Sequence, residues 1–225
     1  KALAQHLRRQ GVSAVVLSEA EQQRYRVKYQ LPEKHPTLSV VIPNKDQMAL
    51  LDSCIASILQ NEIDVSYEIV IVDNMSVLPE TNAYYQGLVS CQPNVRIISY
   101  EGEFSISSMA NYAFKNTTSE YLLLLHNDTE FIGKDGMNDL LAYATRADVG
   151  AKLLFSDDTV QHAGLAVGPR GATGNLGWNL PRSAQGYMKR LMCPSNVSAV
   201  SSACQLIKRS AFEAVGGYNE KFKLA

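Results

Sequence analysis

Residues 120–131 read EYLLLLHNDTEF, and no other stretch constrains the fold as strongly. Five apolar residues, Tyr121 to Leu125, run directly into His126, Asn127 and Asp128. A short apolar run bounded by polar residues suits a strand buried on both faces, as in a helix-covered parallel sheet. Ligands of such sheets bind beyond the carboxyl ends of the strands. His126 and Asp128 are therefore expected at the sheet's functional edge, two residues apart and facing the same way. An imidazole and a carboxylate can hold a divalent metal, and a metal can hold a diphosphate. An ordinary strand end with a turn-forming Asn-Asp pair reads the same way over this segment alone.

The rest of the chain supplies the context. Ala2–Gln10 reads as a short helix stopped by Gly11, with strands at Ala14–Leu17 and Tyr25–Tyr29. Leu31–Thr37 carries two prolines and reads as a connector, which sets a boundary between an N-terminal appendage, 1–37, and the main domain, 38–225. From Leu38 a strand–helix alternation begins. Strands are expected at Leu38–Pro43, Glu68–Asp73, Val95–Ser99 and Tyr121–Leu125, and helices at Met48–Leu59, Thr81–Val89 and Ser108–Asn116, with Thr81 a weak cap. Such alternation specifies an α/β domain with a parallel sheet. Further on, Gly136–Tyr143 suits a helix, Gly150–Phe155 a strand, and Ser210 a cap for a helix at Ala211–Val215. Gly164–Asn179 holds five glycines, at 164, 168, 171, 174 and 177, and reads as a long loop, mobile without substrate and a candidate lid.

Three polar clusters fall at strand ends: Pro43-Asn44-Lys45-Asp46, Asp73-Asn74 and His126-Asn127-Asp128. A nucleotide site needs a carboxylate for base or ribose, a lysine for phosphate and ligands for a metal. Capping of the following helices by Asp46 and Asp73 is the structural alternative. Neither a Walker loop nor a GxGxxG turn is present, which favours a mononucleotide over a dinucleotide. The balance of 21 basic and 22 acidic residues argues against a polybasic nucleic-acid or membrane surface. No apolar run approaches the ~20 residues of a membrane span. The four cysteines form no CxxC, consistent with reduced, partly buried thiols.

Six segments, in order, resemble the family 2 glycosyltransferases of GT-A fold, in particular those of bacterial polysaccharide and O-antigen synthesis. They are LSVVIPNKD, EIVIVDNMS, EFSISSMANYAF, YLLLLHNDTEF, VGAKLLFSDDTVQHAG and VSAVSSACQLIKRSAFEAVGGYNEKF, collinear within a resemblance that spans Leu38 to Ala225. The resemblance implies a Rossmann-like, mostly parallel mixed sheet flanked by helices. It implies an inverting, metal-assisted transfer of a sugar from a UDP- or dTDP-type donor to a growing glycan or lipid-linked glycan. The expected place is cytoplasmic, in solution or at the inner face of the membrane. Pro43, Asn44, Lys45 and Asp46 would wrap base and ribose, Asp73 would bond the base, and Asn111 and Asn127 would face the nucleotide or sugar. His126 and Asp128 occupy the first and third places of the family's metal motif, for Mn²⁺ or Mg²⁺. His126 departs from the Asn or Asp usual there, and imidazole shifts the preference toward Mn²⁺.

His162, in QHAG, is either a further ligand or sugar contact, or a structural histidine bonded to backbone. Trp178 can stack on a sugar face, although a lone Trp is more often core. Tyr84-Tyr85 reads as helix packing. The family's catalytic aspartate follows the GGYNEKF-like segment, so the base is expected beyond Ala225, in a longer polypeptide from which this chain is a piece. A sugar nucleotidyltransferase would carry a Gly-rich basic loop where NKDQM stands, and a non-catalytic nucleotide- or glycan-binding module is the other alternative.

Overall fold

The computed structural model describes residues 1–168 and 173–222; Gly171 of the Gly-rich segment and Ala225 at the chain's end lie outside the described residues. A six-stranded mixed sheet organises the domain. Its strands are β3 (Leu38–Asn44), β4 (Tyr67–Asp73), β5 (Val95–Ser99), β6 (Tyr121–Leu125), β7 (Val149–Gly150) and β12 (Cys204–Lys208), in the order β5-β4-β3-β6-β12-β7. β3 to β6 are mutually parallel, and β12 runs antiparallel to both β6 and β7.

Period-two alternation explains why these runs read as continuously apolar. Val40, Ile42, Ile69, Ile71, Leu123 and Leu125 face one layer, packed on Leu51, Cys54, Ile55 and Ile58 of α2 (Met48–Leu59). Val41, Val72, Leu122 and Leu124 face the other, packed on Met109, Ala110 and Ala113 of α4 (Ile106–Lys115). A strand covered on both faces has no polar side to show. Ser39 is a buried polar exception: its hydroxyl donates to Glu68 at 2.6 Å, and Arg96 Nε donates to the same carboxylate at 2.7 Å.

The chain builds outward from β3 through β4 to β5, then returns to place β6 on β3's other side. The carboxyl ends of β3 and β6 thus flank the point where strand order reverses, the place where open α/β sheets hold ligands. Antiparallel β12 sets Cys204 opposite Leu125, so residues 201–203 enter the sheet beside the end of β6.

Several expected boundaries shift for physical reasons. α3 is Pro79–Cys91, with Pro79 in the first turn, where its missing N–H costs nothing; Thr81 is wholly buried and is not its cap. Ser105 caps α4, accepting from Ser108 N at 3.3 Å. α5 is Gly136–Ala144. The expected strand at 150–155 divides. β7 joins the main sheet, whereas β8 (Leu153–Leu154) pairs with β9 (Val160–His162) in a separate hairpin. The Gly-rich segment is not wholly loop: β10 (Leu165–Val167) and β11 (Thr173–Asn175) pair antiparallel. α6 is Arg209–Ala214, with Lys208 at its N-cap position, and takes no side-chain cap from Ser210.

N-terminally, α1 (Ala2–Arg9) buries no residue and precedes a hairpin of β1 (Ala14–Glu19) and β2 (Arg24–Tyr29). The hairpin docks on α5. Tyr29 meets Tyr143 edge-on with ring centroids 4.9 Å apart, Arg146 lies over Tyr29, Tyr143 Oη donates to Val27 O at 3.0 Å, and Arg26 pairs with Asp139. No helix among the described residues is long and apolar enough to cross a membrane.

Candidate functional site

The site is assembled from the three strand ends. Asn44 closes β3 and is wholly buried. Its Nδ2 donates to Tyr85 Oη and to the Asp46 carbonyl, each at 2.7 Å, and its Oδ1 accepts from Asn127 Nδ2 at 2.6 Å. Tyr85 Oη in turn donates to Asp73 Oδ1 at 2.9 Å. Burial, the largest influence on that phenol, pushes its pKa up to about 12, so it stays a donor. Asn127, Asn44, Tyr85 and Asp73 thus form one hydrogen-bonded chain across the carboxyl ends of β6, β3 and β4.

Asp73 also accepts from Ser76 N at 3.2 Å and from the Ser76 hydroxyl. That hydroxyl in turn accepts from Asp46 N at 2.7 Å. Asp46 Oδ1 accepts from Val77 N and Leu78 N, both at 3.0 Å. Neither carboxylate caps the helix that follows its own strand: α2 begins at Gln47 without a side-chain cap. Asp46 instead stitches the loop after β3 to the loop entering α3. In this loop Asp46 and Gln47 both stand at φ 54°, and Lys45 is exposed. Pro43 lies buried within β3.

At the third strand end the expected alternation stops. β6 finishes at Leu125, and His126–Asp128 enter a turn closed by Thr129 N donating to His126 O at 3.1 Å. His126 is half-buried and Asp128 exposed. Burial lowers the imidazole pKa, and the neighbouring Asp128 charge opposes this only in part, so the ring is neutral and keeps a lone pair. Its Nε2 lies 3.4 Å from Ser202 Oγ, and its main-chain N donates to Ala203 O at 3.0 Å.

The remaining candidates lie elsewhere. The Asn111 amide is engaged by the C-terminal segment: Nδ2 donates to Tyr218 O at 2.9 Å and Glu220 Oε1 at 2.7 Å, and Oδ1 accepts from Tyr218 N at 2.9 Å. His162 is buried, with Nδ1 2.7 Å from Asn175 Oδ1 and Nε2 accepting from Ser201 N at 3.0 Å. Both nitrogens have partners within the protein. Trp178 is 49% exposed and meets Phe155 edge-on at 5.1 Å, so it is not the core residue that burial statistics favour. The sequence reading gives Tyr85 to helix packing and misses its place in the network. The signal available was its helical spacing from buried Thr81, which puts it on the inward face of α3.

The donor set suits a divalent cation bound together with a diphosphate. His126 offers a neutral nitrogen and Asp128 an accessible carboxylate, a pair compatible with Mn²⁺. Among the described residues no three His, Cys, Asp or Glu side chains converge. Such a cation would therefore take its other positions from ligand oxygens and water, as hard cations at phosphate sites do.

Known proteins match this architecture. Two solved structures share the fold over 84% of the chain: a mannosyltransferase, PcManGT, from Pyrobaculum calidifontis in complex with GDP-Man and Mn²⁺ (TM-score 0.58, 14% identity, 49% of that chain), and S. aureus TarS 1-349 (TM-score 0.53, 13% identity, 52% of that chain). In sequence, the chain is 36% identical to the O-antigen biosynthesis protein RfbC of Myxococcus xanthus over 228 residues, covering all of this chain and 18% of RfbC. It is 34% identical to the uncharacterized protein y4gI of Sinorhizobium fredii (strain NBRC 101917 / NGR234) over 224 residues, covering 98% of this chain and 24% of that protein. The chain therefore spans about a fifth to a quarter of the length of these relatives. The model of glycosyl transferase family 2 matches residues 39–216, which include all three strand ends and the 201–203 segment beside them. With its fold and its sequence in agreement, the chain belongs to glycosyl transferase family 2.

Proposed function

We propose that this domain binds a UDP- or dTDP-type sugar at the β3–β6 crevice and serves metal-assisted, inverting transfer of the sugar to a growing bacterial glycan, free or lipid-linked. The observation that carries this reading is the hydrogen-bonded chain from Asn127 through Asn44 and Tyr85 to Asp73, which ties the metal-motif turn to the base-side carboxylate. Asp73, fixed by Tyr85 and Ser76, accepts from the imino N–H of uracil or thymine. Asp46 and its neighbours Pro43, Asn44 and Lys45 frame the base and ribose. Asn127 faces the diphosphate side, and His126 and Asp128 hold Mn²⁺ or Mg²⁺. A cation bound there supplies Lewis-acid neutralisation of the departing diphosphate. Inversion requires a base to take the acceptor hydroxyl's proton as that oxygen attacks the anomeric carbon. Exposed Trp178 offers a face for a sugar ring on the acceptor side.

A thermal-shift panel of UDP, dTDP, GDP and ADP, each with and without Mn²⁺, tests the reading. Ligand at ~100 times its Kd adds about 2.7 kcal/mol to stability. Stabilisation by UDP or dTDP that needs Mn²⁺ supports it. Equal stabilisation by ADP, or none by any nucleotide, contradicts it.

A further inference from the structure

Ser201 and Ser202 lie between two histidines. On one side, Ser201 N donates to Nε2 of buried His162 at 3.0 Å. A nitrogen that accepts carries no proton, so His162 holds its proton on Nδ1 and directs it at Asn175 Oδ1, 2.7 Å away. On the other side, Ser202 Oγ is 3.4 Å from His126 Nε2. Ser202 is itself buried. The segment is pinned further by Ala203 N donating to Ser201 Oγ at 3.2 Å and by His126 N donating to Ala203 O at 3.0 Å. Its position relative to the end of β6 is thus fixed by main chain as well as by side chains.

We propose that Ser202 is a positioning residue for His126, and that His162 acts through Ser201 to hold Ser202 there. The Ser202 hydroxyl accepts from Nε2–H of His126, which leaves the lone pair on Nδ1, the nitrogen available to a cation. The two histidines then carry opposite tautomers, Nδ1–H in His162 and Nε2–H in His126, set by adjacent residues of one dipeptide. His162 thus serves the site from behind. The metal half of this inference rests on His126 being a ligand; the tautomer half does not. Partners that orient a ligating histidine commonly change metal affinity by about 10–100-fold when removed.

The test uses the protein labelled with ¹⁵N-histidine. Long-range ¹H–¹⁵N spectra of the metal-free wild type should show His126 as the Nε2–H tautomer and His162 as Nδ1–H. In Ser202→Ala the His126 signals should shift toward a tautomer mixture. Mn²⁺ affinity in the presence of UDP, read by electron paramagnetic resonance of free Mn²⁺, should weaken about tenfold or more. Ser202→Thr, which keeps the hydroxyl, should restore both. His162→Gln should weaken Mn²⁺ binding in the same direction. His126 found as Nδ1–H in the wild type overturns the proposal, as does unchanged Mn²⁺ affinity in Ser202→Ala. A wild type that takes up no Mn²⁺ with UDP overturns the metal reading itself, while the metal-free spectrum still decides whether Ser202 orients His126.

Discussion

Asn44 and Asn127, 83 residues apart, share a 2.6 Å hydrogen bond between side-chain amides across the reversal point of the sheet. Asn44 is fully buried and makes three side-chain hydrogen bonds, so it behaves as a keystone between β3, α3 and the turn after β6. Asn44→Ala removes all three, leaving Tyr85 Oη its Asp73 partner and the Asn127 amide without Asn44. A loss of about 2–4 kcal/mol is expected, since a buried group left without its partner costs about 1–3 kcal/mol. Asn127→Ala, at a half-buried position, should cost less. Urea denaturation of the two variants beside wild type measures both. Equal small losses would deny Asn44 this role.

Tyr85 is the only link in the network whose hydroxyl can be removed without changing the shape of its ring. Tyr85→Phe frees Asp73 from one of its donors and unties it from Asn44. The expected cost in stability is about 1–3 kcal/mol, for two hydrogen bonds at about 0.5–1.5 kcal/mol each. The preference for UDP or dTDP over ADP should narrow as well, because Asp73 is then less well fixed. Calorimetric titration of the three nucleotides reads this, and an unaltered preference would detach Tyr85 from base selection.

Gly217 stands at φ +83°, and a Cβ there would come within 2.7 Å of Asn111 Oδ1. Gly217→Ala therefore combines left-handed backbone strain with a clash against an amide that holds Tyr218. A destabilisation of roughly 1–3 kcal/mol is expected. Asn111→Ala removes the clash, so the double variant should lose less than the sum of the singles. Strict additivity in chemical denaturation would refute the coupling.

Glu68 gives the fold a pH signature. Burial raises its pKa, but hydrogen bonds from Arg96 and Ser39 pull it down further, leaving it below its ordinary 4.5. A carboxylate with a depressed folded pKa contributes stability above its unfolded pKa and loses it as pH falls through the folded value. Wild type should therefore lose stability below about pH 4.5 more steeply than Glu68→Gln, in which this group no longer titrates. Urea midpoints between pH 5 and 3 provide the comparison, and parallel curves would contradict the assignment.

What could be read from the sequence was what is local. β3, β4 and β6 were legible because strands buried on both faces are written as unbroken apolar runs, and their polar ends marked the crevice. Tyr85 was not, because an inward phenol on a helix reads as packing until the fold brings Asn44 and Asp73 to it. The strand expected at 150–155 divides because Val149–Gly150 pair with β12 whereas Leu153–Leu154 pair with β9, a change of partner that no local pattern announces. His126 and Asp128 keep company through a turn, not through strand alternation, and Ser202 reaches His126 only because β12 runs antiparallel to β6.

The central claim is that Asp128 and His126 make nucleotide binding metal-dependent. Calorimetric titration of UDP and dTDP into wild type and Asp128→Ala, with and without Mn²⁺, tests it most directly. Wild type should gain affinity on adding Mn²⁺. Asp128→Ala should lose that gain and keep the weaker, metal-independent binding, with unfolding at the wild-type urea midpoint because the carboxylate is exposed. A full Mn²⁺-dependent gain in Asp128→Ala would contradict the site.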